Sequence, residues 1–159
     1  MILFIFSLGL ASQTNQKTSF PNYKNKNGEW RELHISIEEN SGSVAPEFRY
    51  SLMTSIEATK DGLFISRVET KADAQILKNR SRISEEDYEA VMTKLFELGI
   101  DSLENEILPA EKLLGVNYNT IDFRLGKIKK RYYYLLQDLG KEKRNQKNEI
   151  IEIMRGIKP

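Results

Sequence analysis

The chain predicts an α+β fold in which an antiparallel sheet of about five strands carries two α-helices on one face, in the order strand, hairpin, helix, hairpin, helix. Three observations support that expectation. Apolar and polar residues alternate through 30–38, 48–58 and 121–125, the period of a half-buried strand. Stretches 82–101 and 141–155 instead repeat apolar residues at helical spacing. Short turn sequences join neighbouring strands, and strands joined that way run antiparallel.

The length of 159 residues suits one domain with a core that needs no disulfide or metal to hold it. A formal net charge of +1 gives no global attraction to nucleic acid or to an anionic membrane. Cysteine is absent, which excludes disulfides, a thiol nucleophile, thiolate metal sites and a lipid-modified N-terminal cysteine.

Ile2 to Leu10 form an apolar run too short to span a bilayer, and Gly9 with Ala11 gives the small-x-small pattern that a signal peptidase cuts after. Residues 1–11 are therefore expected to be a signal peptide. No Lys or Arg precedes the run, so the positive start of such a signal rests on the α-amino group alone. The expected location is exported, periplasmic or secreted, with no membrane span after cleavage. Residues 12–28 are rich in Asn, Gln, Lys, Ser and Thr and read as a flexible polar leader, leaving 29–159 as a single domain.

Leu33, Ile35 and Ile37 alternate with Glu32, His34, Ser36 and Glu38 as the first strand. Residues 39–46 (ENSGSVAP) form a loop, and 48–58 a second strand with Phe48, Tyr50, Leu52, Ile56 and Ala58 on a shared face. Thr59-Lys60-Asp61-Gly62 is a hairpin turn. A type I turn closed by Gly62 as a bulge places Ala58 opposite Phe64 and Thr54 opposite Val68, whereas a two-residue Asp61-Gly62 turn places Ile56 opposite Arg67. The first keeps apolar beside apolar and is the expected register. Residues 63–70 are the third strand, and 71–81 either extend it or return towards the helix.

Ser84 stands at an N-cap position before Glu85, Glu86 and Asp87, where the helix dipole favours negative charge. Ile83 and Tyr88 are spaced as a hydrophobic staple. Tyr88, Val91, Met92, Leu95 and Phe96 then form one helical face, and Gly99 ends it. An acidic connection over 102–112 follows, with a short helical turn over 109–115. Ile121, Phe123 and Leu125 lead into Gly126-Lys127, a turn suited to a tight hairpin, with the return strand over 128–136. That register sets Leu125 opposite Ile128, Ile121 opposite Tyr132 and Asp122 opposite Arg131. Ile150, Ile151, Ile153 and Met154 crowd the last half of the final helix, which Gly156 closes.

His34 is the single histidine and lies on the polar side of its strand, beside no serine or aspartate grouping of the kind a hydrolase uses. Neither a calcium-loop spacing of acids nor a glycine-rich phosphate loop nor a nucleophile elbow occurs. No catalytic, cofactor-binding or metal-binding residue is expected, and the protein is not expected to be an enzyme. The acids from Glu85 to Glu111 cap and solubilise a helix and its exit, though two of them acting as a glycosidase pair is the rival reading. Asn79-Arg80-Ser81 matches the N-glycosylation pattern, one that arises often by chance.

The distinctive local feature is a basic and aromatic run, Lys127, Lys129, Lys130, Arg131, Tyr132, Tyr133 and Tyr134. Strand alternation sends Lys130, Tyr132 and Tyr134 inward with Phe123 and turns Lys129, Arg131 and Tyr133 outward. The expected function is an exported, non-enzymatic binding or inhibitor-like domain that meets a protein partner through its outer sheet face and Lys127, Lys129, Arg131 and Tyr133. Nucleic acid is not the expected partner. The alternatives are an envelope-polymer hydrolase with paired carboxylates and a structural domain of the cell envelope.

Overall fold

The computed structural model describes residues 24–104, 119–134 and 141–159. Its elements are β1 (Leu33–Asn40), a 3₁₀ turn (Pro46–Phe48), β2 (Tyr50–Thr59), β3 (Gly62–Lys71), β4 (Ala74–Arg82), α1 (Glu85–Glu97), β5 (Asn119–Leu125), β6 (Ile128–Tyr134) and α2 (Lys141–Gly156). The six strands form one antiparallel sheet in the order β4-β3-β2-β1-β5-β6. The α+β class stands, with six strands in place of about five. The proposed signal peptide, most of the leader, the helical turn over 109–115 and the end of the last strand lie outside the described residues.

The additional strand is β4, and its turn explains why sequence reading leaves it ambiguous. Lys71 pairs with Ala74, so Ala72 and Asp73 alone make the turn, with φ of 48° and 62°. A tight hairpin turn with both residues at positive φ normally recruits Asn-Gly or Asp-Gly, because other side chains clash there. Arg49 braces this one, its carbonyl accepting from the Ala72 amide at 2.8 Å and its guanidinium donating to Asp73 at 3.0 Å.

The β2–β3 register also departs from the expected one. Thr59 pairs with Gly62, leaving Lys60 and Asp61 as the turn, so Ala58 faces Leu63 and Ile56 faces Ile65. The Thr59 hydroxyl accepts from the Asp61 amide and donates to the Gly62 carbonyl, which closes the turn without the expected bulge. Because side chains alternate, a slip of one residue reverses every one of them. Phe64 thereby turns to the face opposite the helices. Phe48 is not on the second strand but in the 3₁₀ turn, 70% exposed.

Register identifies the inward face: Leu33, Ile35 and Ile37 of β1 align with Ile56 and Ala58 of β2, Leu63 and Ile65 of β3, and Ile121, Phe123 and Leu125 of β5. These join Tyr88, Met92, Leu95 and Phe96 of α1 and Ile150, Ile151 and Met154 of α2 in one buried cluster. Phe96 meets Phe123 edge-on at 5.7 Å between centroids. Both helices therefore cover the same side of the sheet, each fully buried aliphatic side chain contributing roughly 1.5–3 kcal/mol.

The ends of α1 follow its sequence. Ser84 Oγ accepts from the Asp87 amide at 3.1 Å as N-cap. At the other end Gly99 adopts φ of 69°, its amide bonds the Phe96 carbonyl and the Ile100 amide bonds that of Leu95, a Schellman closure. Gln146 of α2 donates to the Leu98 carbonyl at 2.6 Å, tying the two helices at that point. Within the expected leader, Lys24 bridges to Trp30 across a turn held by Asn25 and Gly28, and its ammonium contacts Glu85 of α1.

Candidate functional site

With both helices on one side, the reverse side of the sheet is the surface whose residues the core does not claim. Alternation places His34, Ser36 and Glu38 there from β1, Met53, Ser55 and Glu57 from β2, and Asp122 and Arg124 from β5. The edge strands add Lys78, Arg80 and Arg82 on one side and Lys129, Arg131 and Tyr133 on the other. The face thus mixes acids and serines with His34, Met53 and Arg124 along its inner strands and is basic along both edge strands.

Two ion-pair systems cross it. Arg80 reaches from β4 over the Phe64 ring of β3 to Glu57 of β2, donating from Nε and Nη2 to Oε1 at 3.0 and 2.8 Å. Arg131 of β6 grips Asp122 of β5 through two bonds of 2.8 and 3.0 Å. That carboxylate holds the guanidinium pKa well above its ordinary value. Between them Ser36 and Ser55 lie at the bottom, buried although on the face opposite α1 and α2.

At the end where β1 meets the β5–β6 turn, the face dips into a pocket of about 250 Å³. Glu32, His34, Glu57, Arg124 and Lys129 supply its charged lining, with Gly126 at the turn. The Gly126 amide donates to the Glu32 carbonyl at 3.0 Å, which fixes the hairpin against the entry to β1. The imidazole of His34, 31% exposed, has Nδ1 3.8 Å from Glu57 Oε2. Its pKa is lowered from 6.5, first by burial and then by Arg124, against opposing pulls from Glu57 and Asp122. His34 is therefore no free-standing strand residue but a ring set between the Glu57 carboxylate and Arg124, its pKa on balance lowered.

Of the residues singled out in the sequence, Lys129, Arg131 and Tyr133 do share the outer face of β6, and Lys127 is exposed at the hairpin tip. Arg131 differs from its neighbours because Asp122 already engages it. Lys130 points inward, as alternation requires, and its ammonium donates to the Asp101 carbonyl beyond the end of α1. Tyr132 is buried on the core side, where loss of water pushes its pKa up to about 12, with Asp101 adding to the effect. Arg124 was recoverable from the hairpin register, which sets it opposite Lys129. Glu57 was not, because its neighbours His34 and Arg80 come from other strands.

A second groove, of about 470 Å³, runs on the helix side between α1 and α2 and holds Asp87 and Glu152. Asp87 accepts from the Ser84 hydroxyl at 2.6 Å, and Glu152 is bonded by Arg155 at 2.5 Å. Each acid thus has a structural partner. Among the described residues no three His, Asp or Glu side chains gather as a metal site needs, and no helix is long and apolar enough to cross a membrane. No protein-family model, curated protein or solved structure matches the chain.

Proposed function

We propose that the protein is an exported, non-enzymatic binding domain of inhibitor type that meets a protein partner through its outer sheet face and the basic hairpin. The observation behind this reading is the one-sided architecture: α1 and α2 are spent on one face of the sheet, and the other offers polar and charged groups and the half-buried Tyr133 to whatever approaches. Lys127 at the tip, Lys129 and Tyr133 along β6 and the rim of β4 favour a partner with acidic groups at its contact. Arg131 has a smaller direct part than its neighbours, since leaving Asp122 costs it two charge-assisted bonds. Export rests on the apolar run from Ile2 to Leu10.

Affinity capture from envelope extract tests the surface. The variant Lys127→Ala, Lys129→Ala, Tyr133→Ala is expected to lose a protein that the parent chain and the helix-face variant Glu149→Ala both retain. Undiminished capture by the triple variant removes the hairpin from the interface. N-terminal sequencing of the mature protein tests export, with Ser12 as the expected first residue.

A further inference from the structure

We propose that the pocket at His34, Arg124 and Lys129 is a binding site for a tetrahedral dianionic oxyanion, the chemistry of a phosphate monoester. The inference goes beyond the partner-binding reading and does not rest on it.

His34, Arg124 and Lys129 stand abreast on three neighbouring strands, His34 paired with Arg124 and Arg124 with Lys129. Adjacent strands are about 4.8 Å apart, so the three residues start within about 10 Å of one another and can converge on one small ligand. Like charges directly opposite each other on an antiparallel pair are destabilising. Two other arginines of this face meet an acid of a nearby strand instead: Arg80 has Glu57 and Arg131 has Asp122. Among the described residues neither Arg124 nor Lys129 has a carboxylate partner, and both line the pocket. An anion between them supplies what their neighbours obtain from the chain itself.

The charges around the imidazole point to the same ligand. Glu57 faces His34 from β2 but is already bonded by Arg80, and Asp122, from β5, is bonded by Arg131. Arg124 opposes the protonation of His34. A bound dianion reverses that opposition, so the ring takes up a proton and becomes a third donor. Glu32, the remaining acid of the lining, repels the ligand and limits it to the Arg124 side.

The single histidine makes the protein its own reporter. The His34 Cε1–H resonance is titrated at matched ionic strength in sodium chloride and in sodium sulfate, a probe that stays doubly charged throughout the histidine range. Sulfate is expected to raise the midpoint by at least about 0.5 pH unit, saturably, because one bound charge near an imidazole commonly shifts it on this scale. Methyl phosphate is expected to act likewise at pH values where it is a dianion, and acetate to have no effect. In Arg124→Gln the chloride midpoint is expected to rise and sulfate to add nothing further. Lys129→Gln is expected to weaken sulfate at least about fivefold and Glu32→Gln to strengthen it, which keeps the test open if Arg124→Gln does not fold. Identical midpoints in sulfate and chloride, an equal shift from acetate, or full sulfate response in Lys129→Gln with none gained in Glu32→Gln overturns the proposal.

Discussion

The guanidinium of Arg80 lies over the ring of Phe64, 3.8 Å from its centroid, on the face of the sheet opposite α1 and α2. Phe64 is a large apolar side chain on the solvent side, yet only 9% exposed, because Arg80 and Arg82 of the neighbouring strand lie across it. Long basic side chains can shelter apolar surface with their stems while keeping the charge wet. Here that sheltering also fastens the edge strand, since Arg80 continues to Glu57 two strands away.

Removing either partner should loosen β4. Phe64→Leu combined with Arg80→Ala in a double-mutant cycle is expected to give a coupling of about 0.5–1 kcal/mol, with Arg80→Ala alone costing about 1 kcal/mol because its guanidinium is half exposed. Urea midpoints at unchanged m-value measure it. Strict additivity of the two single changes would deny the contact any energetic role.

His34 makes stability depend on pH in a definite direction. Its folded-state pKa lies below 6.5, so between that lowered value and 6.5 the unfolded chain binds more proton than the folded one. The contribution is complete above pH 6.5 and is lost as pH falls through the folded pKa. Urea midpoints followed from about pH 7.5 down to about pH 5 should decline, and His34→Gln should flatten the decline over the histidine range. A decline of the same size in the variant would assign it to carboxylates instead.

Ala72 occupies a backbone conformation that suits glycine. Its φ of 48° in the β3–β4 turn costs about 1–2 kcal/mol for an L side chain, and glycine gives back about 0.5–1 kcal/mol through its freer unfolded chain. Ala72→Gly is therefore expected to stabilise by up to about 1 kcal/mol, read as a higher melting midpoint. A drop in stability would mean that the turn carries no such strain.

Gly99 is the reverse case. At φ of 69° a Cβ would come within 3.0 Å of Ser102 Oγ and 3.3 Å of Gln146 Nε2, the group that binds the Leu98 carbonyl. Gly99→Ala is expected to cost about 2 kcal/mol or more in denaturant unfolding, from backbone strain together with the weakened tie between helices. A loss under about 0.5 kcal/mol would show that the helix end adjusts freely.

Tyr132 buries a hydroxyl that has no hydrogen-bond partner among the described residues. A buried polar group without a partner costs about 1–3 kcal/mol, so Tyr132→Phe should leave thermal stability unchanged or raise it. A fall of about 1 kcal/mol would reveal a bond that the hydroxyl makes in solution.

The sequence by itself determined the features whose cause is local. Ser84 and Asp87, the stripe from Tyr88 to Phe96, the Gly99 stop and the β5–β6 register with Asp122 opposite Arg131 all follow from periodicity, capping and turn chemistry within a few residues. The outward direction of Lys129, Arg131 and Tyr133 followed the same way. Tertiary structure alone decided the rest. A turn of Ala72 and Asp73 carries no sequence signature and stands because Arg49, from a different part of the chain, braces it. The β2–β3 register turned on a one-residue difference that local pairing could not separate, and it sent Phe64 outward to meet Arg80. The pocket is likewise non-local, for His34, Glu57 and Arg124 become neighbours only when β1 is inserted between β2 and β5. Alternation tells which side of a strand a residue faces, whereas strand order decides what it faces beside, and that order is set by burial of the whole core.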